Sequence, residues 1–128
     1  MSQEEIIQHW RQGARDALAA AHLLHKNGFY ESALFHCHLA AEKALKSLYM
    51  DQHGEDHPYT HDLAHLATLI DHTLGKSDVK ALQELSGFVV DARYSDLYWA
   101  EEEATKENSE RWIAVSNNIL SSLLHEEN

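Results

Sequence analysis

Arg93, Tyr94, Asp96, Tyr98 and Trp99 fall together in one short run, and their types suit the binding of a phosphate beside a base. A guanidinium can grip a phosphate through two parallel N–H bonds, and aromatic rings stack on bases. The arginine also has a structural reading, an ion pair with Asp91, Asp96 or Glu42 that fixes the chain where a helix ends. Two further candidates lie upstream. His36 either lines a cleft with Lys43 and Arg93 or is a hydrogen-bonded histidine on the side of a helix. Lys43 and Lys46, three residues apart, share a helix face bordered by Glu42. That face could meet an anionic ligand or form a solvated, ion-paired stripe.

Other patterns carry less. The run His61, Asp62, Leu63, Ala64, His65 imitates a zinc-protease helix with aspartate in place of glutamate. Thr60 as a helix cap accounts for its start without metal, and the shorter aspartate reaches less far than the base it would replace, so no metal site is assigned. His36 and His38, two apart, diverge on a helix and do not readily face one metal. Cys37 is the sole cysteine; with no partner for an internal disulfide and no context that activates a thiol, it reads as a small hydrophobe. No glycine loop for phosphate and no Ser-His-Asp order is present. No cofactor is expected.

The elements that would position these residues are helices. Ser2 and Glu5 have capping-box spacing, Ile6, Trp10, Ala14, Ala17, Ala21 and Leu24 repeat at helical period, and Asn27 and Gly28 close the first helix. A second, from about Tyr30 to Gln52, carries Ala33, Cys37, Ala40, Ala41, Ala44, Leu45 and Leu48 on a face of small side chains that lets neighbouring backbones approach. It reads as the central packing helix. Thr60 then caps a third helix with stripe Leu63, Leu66, Ile70 and Leu74, closed by Gly75. Ser77 and Asp78 open a fourth, with Val79, Leu82, Leu85 and Val89 toward the core. Residues 91–98 read as a helix end and a turn, and a last helix from about Lys106 to His125 presents Trp112, Val115, Ile119 and Leu123. The class is all-α, an antiparallel four- or five-helix bundle, one domain over residues 1–128.

Composition narrows the functions. The 128 residues are 44% hydrophobic with one proline and five glycines, which disfavours disorder and loop-rich sandwiches. A net charge of −11 argues against broad, non-specific attraction to nucleic acid, while a local basic cluster could still take a phosphate. The start, MSQEEIIQHW, lacks a secretory pattern, and no segment is long and apolar enough to span a bilayer. A cytoplasmic location is expected.

Taken in order, Trp10, Ala14 and Asp16, the Gly28–Tyr30 turn, Ala33, His36, AAEKALK from Ala40 to Lys46, THDL from Thr60 to Leu63, Leu66, and ARYSD from Ala92 to Asp96 resemble the HEPN family, the higher eukaryote and prokaryote nucleotide-binding domains. The resemblance covers nearly the whole chain. It implies an up-and-down helical bundle that commonly forms a homodimer, and a partner, a minimal nucleotidyltransferase, in a toxin–antitoxin-like module. It also implies that Arg93 stands at the arginine of the family's metal-independent ribonucleases, which carry a histidine after four to six intervening residues. Here those positions hold Tyr98, Trp99 and Ala100. Histidine can exchange a proton near neutral pH, and tyrosine, with an ordinary pKa of about 10, is a poor base. The expectation is therefore a non-catalytic homodimer that pairs with the nucleotidyltransferase and binds a nucleotide or RNA phosphate through Arg93, Tyr94, Asp96, Lys43 and His36. The alternative is a divergent ribonuclease toxin that uses Arg93 with His36, Tyr98 or Asp96.

Overall fold

The computed structural model describes residues 1–93 and 102–125, with the side chains of residues 89–93 left aside. Five α-helices appear among the described residues and no strand: α1 (Gln3–Lys26), α2 (Tyr30–His53), α3 (Leu63–Thr68), α4 (Lys76–Arg93) and α5 (Lys106–Leu124). The helical class expected from the sequence is the one observed.

Local chemistry sets the ends. The Ser2 hydroxyl accepts from the Glu5 amide while the Glu5 carboxylate reaches back to the Ser2 backbone, a complete capping box for α1. Gly28 at φ 84° allows a tight turn into α2, and Gly54 at φ 69° closes α2 in the left-handed conformation that glycine adopts without steric cost. The Thr105 side chain caps α5 by accepting from the Asn108 amide.

Two expectations need correction. α3 is capped by Asp62, whose Oδ1 accepts from the His65 amide at 3.0 Å, and not by Thr60. The Thr60 hydroxyl instead accepts from the Asp62 amide, a local turn that precedes the helix. α3 also stops at Thr68 instead of running to Gly75; Ile70 is buried from the following loop and Leu74 is only half-buried. Residues 91–93 form the end of α4, as expected, and residues 94–98, where the turn was expected, lie outside the described residues. Phe88 supplies the buried aromatic of that helix, set edge-to-face against Trp112 of α5 with ring centroids 5.2 Å apart.

α2 is the hub. It packs on α1 most extensively, and also on α3, α4 and α5. Ala33, Leu34, Cys37, Ala40, Ala41, Ala44 and Leu45 have no exposed surface at all. They join Ala14, Ala17 and Ala21 of α1, Leu63 and Leu66 of α3, Leu82 and Leu85 of α4, and Ile119, Leu120 and Leu123 of α5 in the buried interior. No helix among the described residues is long and apolar enough to cross a membrane.

Candidate functional site

A helix surrounded on several sides must put some of its polar residues inside, and α2 does so with one set. His38, Glu42 and Lys46 stand at successive four-residue intervals and so share a face of α2. They are 2%, 6% and 4% exposed, respectively. Buried charges persist only when paired and hydrogen-bonded, and here they are. Glu42 Oε2 accepts from Lys46 Nζ at 3.2 Å, and Glu42 Oε1 accepts from His61 Nδ1 at 2.7 Å.

His61 arrives from the connection between α2 and α3, which folds back over α2. Its backbone is fixed as well, because His38 Nε2–H donates to the His61 carbonyl at 3.1 Å. A carbonyl can only accept, so that bond assigns the His38 tautomer. On the far side, the Asp62 side chain caps α3, and the Leu63 amide donates to Ser86 Oγ of α4 at 2.9 Å. The His61 ring remains largely open, with a side-chain exposure of 61%.

The electrostatics follow from this packing. Burial pushes the Glu42 carboxyl upward, but the His61 hydrogen bond and the neighbouring Lys46 ammonium outweigh it and hold the group below its ordinary value. Burial lowers His38, against the opposing pull of the His61 carbonyl and the Glu42 charge. His38 Nδ1 lies 3.9 Å from Glu42 Oε1, beyond hydrogen-bond reach. Glu42 is therefore a charged carboxylate, and His38 is a neutral ring that acts as a backbone clamp.

The residues singled out from sequence are placed differently. His36 is half-buried, its Nδ1 donates to the Ser32 carbonyl one turn back at 2.8 Å, and its ring meets Phe35 edge-on. Lys43 is half-buried and lies over Gly13 of α1, where an added β-carbon would stand 3.1 Å from its Cδ and 3.2 Å from its Nζ. Lys43 thus faces α1 whereas Lys46 turns inward to Glu42, so the two do not form one solvated stripe. The backbone of Arg93 ends α4, and its side chain, together with Tyr94, Asp96, Tyr98 and Trp99, lies outside the described residues. Both oxygens of Glu42, the distant carboxylate considered for Arg93, already accept hydrogen bonds from His61 and Lys46.

His61 and His65 do not form a pair on one helix turn, because His61 precedes α3 and Asp62 is occupied as its cap. Cys37 is fully buried beside the Ser116 hydroxyl, and desolvation pushes its thiol up to about 11. The cluster of His38, Glu42, Lys46 and His61 was not anticipated as a unit. Its signal in the sequence is the four-residue recurrence of His38, Glu42 and Lys46 among the small residues of the central helix.

The geometry has counterparts. The chain matches the model of the HEPN domain over residues 7–126. Its fold is similar to the crystal structure of TT1696 from Thermus thermophilus, with a TM-score of 0.82, 24% identity, and coverage of 94% of this chain and 98% of that one. It is also similar to the crystal structure of ST0689, an archaeal HEPN homologue, with a TM-score of 0.73, 25% identity, and coverage of 94% and 96%. None of the curated proteins compared with it matches. With the model matched from α1 to beyond the end of α5 and the same bundle in both solved structures, the chain belongs to the HEPN domain family.

Proposed function

We propose that this protein is a non-catalytic, homodimeric binding component, a single HEPN domain over residues 1–128 that works in the cytoplasm beside a minimal nucleotidyltransferase and holds a nucleotide or RNA phosphate. Arg93, Tyr94, Asp96, Lys43 and His36 form its ligand-binding set. One observation carries the reading: Tyr98, Trp99 and Ala100 occupy the positions where a ribonuclease of this family would carry its histidine after Arg93. Cleavage through a ribose hydroxyl needs a group that exchanges a proton near neutral pH, and none of these three side chains does so. The remaining arginine can still hold a phosphate bidentately.

The test has two arms. Purified protein is incubated with labelled RNA in the presence of EDTA, and the chain is co-expressed with the neighbouring nucleotidyltransferase and sized by light scattering. No cleavage, a dimer in isolation and a stable complex with the nucleotidyltransferase are the expected results. Metal-independent cleavage that disappears in a folded Arg93→Ala variant would make the protein a ribonuclease toxin instead.

A further inference from the structure

Asn27 is the only asparagine in the chain followed by glycine, and the pair closes α1. Such a pair can modify itself, because the glycine amide nitrogen, unhindered by a side chain, can attack the side-chain carbonyl carbon of the asparagine. The fold holds this reaction off in three ways. The Asn27 side-chain NH₂, which would leave, donates to the Leu23 carbonyl at 2.8 Å. The Gly28 amide, which would attack, donates to the His25 carbonyl at 3.1 Å, and the Phe29 amide donates to the Leu24 carbonyl at 2.8 Å. These two backbone bonds make a Schellman motif, with Gly28 at φ 84°. Asn27 also has ψ 9°, which eclipses the Gly28 nitrogen with the nitrogen of Asn27 itself and turns it away from Cβ. Closure of a five-membered ring needs that nitrogen on the side of Cβ. Both residues are exposed, and the last turn of α1 is tied to α5 by a hydrogen bond of 2.8 Å between His25 Nδ1 and Ser109 Oγ.

We infer that Asn27 is a self-modification site gated by opening of the α1–α2 turn. When the turn opens, the Gly28 nitrogen gives its proton to solvent and bonds to Asn27 Cγ. The Cγ–Nδ2 bond breaks, and the NH₂ takes up a proton and leaves as ammonia. Water then opens the succinimide at either carbonyl, giving aspartate or isoaspartate, with no electron gained or lost. Refolding cannot reverse the step. Either product sets a carboxylate where a donor faced the Leu23 carbonyl, so two acceptors confront each other. Isoaspartate also inserts one carbon into the main chain ahead of the Gly28 nitrogen, which displaces both donors of the Schellman motif. A turn that has opened and reacted no longer closes as it did.

The test follows the full chain at mildly alkaline pH, folded in buffer and unfolded in guanidinium, by peptide mapping with mass spectrometry. Asn27 is expected to convert ahead of Asn108, Asn117 and Asn118 in both states. Conversion should be at least about tenfold slower in the folded chain, because only the opened fraction of turns reacts. Ser109→Ala removes the tether at His25 without touching the pair. It should speed conversion in the folded state by the same factor by which it speeds hydrogen exchange of the Gly28 amide. The same proportionality in wild type, followed across low guanidinium concentrations, tests the gate without any substitution. Asn27→Gln keeps an amide on a longer side chain that closes a ring poorly, and it should stay intact. Converted protein, separated by anion exchange, should have lost exchange protection at Gly28 and Phe29. Equal rates in the folded and unfolded chains, a folded chain that does not convert, or conversion that departs from Gly28 exchange overturns the inference.

Discussion

The seam between α1 and α2 and the junction between α2 and the α2–α3 connection solve opposite problems on the same helix. The seam is built with small apolar side chains: Ala14, Ala17 and Ala21 from α1 and the fully buried alanines of α2 pack in one interior. Close approach of the backbones gives dense packing there, and nothing needs to be neutralised. At the junction, two charged side chains are taken out of water and must satisfy each other, with a third group brought from 19 residues further along the chain. The first arrangement depends on volume, the second on completeness. A small error of volume in the seam is partly absorbed by relaxation, whereas removal of one member at the junction leaves a charge without a partner.

Breaking the junction should therefore have the largest effect. Lys46→Ala is expected to destabilise the fold by about 3–5 kcal/mol in urea unfolding, because Glu42 stays buried without its cation. The double variant Glu42→Leu with Lys46→Met should lose less than Lys46→Ala alone, since no unpaired charge remains. An equal or larger loss in the double variant would remove the contrast with the seam. Overfilling the seam comes next: Ala44→Leu should cost about 1–3 kcal/mol by forcing side chains and backbone apart.

Acid should produce a graded loss confined to the junction. The folded state holds His38 below its ordinary value of 6.5, so as the pH falls through that value the unfolded chain takes up a proton that the folded chain refuses, and stability declines. The folded state also holds Glu42 below its ordinary value of 4.5. Its contribution is complete above that pH and is lost as the pH falls through the lower folded value. Urea midpoints followed from pH 8 downward should show the first decline in wild type, and His38→Gln, which keeps a donor for the His61 carbonyl, should reduce it. The smallest effect is remote from both regions: Ser2→Ala should cost about 1 kcal/mol through loss of the α1 cap.

These differences also explain what could be read from the residues in order. α1, α2 and α5 were legible because their boundaries are local: a capping box at Ser2, glycines at 28 and 54, and long amphipathic repeats. The α3 cap was misplaced by two residues because Thr60 and Asp62 are both good caps, and only the folded chain decides which amide each one meets. Its length was overread because Ile70 continues the apolar spacing from a loop. Phe88 was passed over in favour of Val89 on the same stretch of α4, and the side chain of Val89 lies outside the described residues. Lys46 looked like a surface cation because lysine normally is one. Its partner Glu42 is met in turn by His61 from the connection between α2 and α3, a non-local contact with no periodic signature.

The thiol of Cys37 gives the molecule an internal gauge. With no exposed surface and a pKa near 11, it presents almost no thiolate to an alkylating reagent while the helices are closed. Labelling can then proceed only through openings of the bundle. The rate at which one cysteine acquires one tag thus reports how often the centre comes apart, in dilute buffer or in a crude lysate, without any engineered probe.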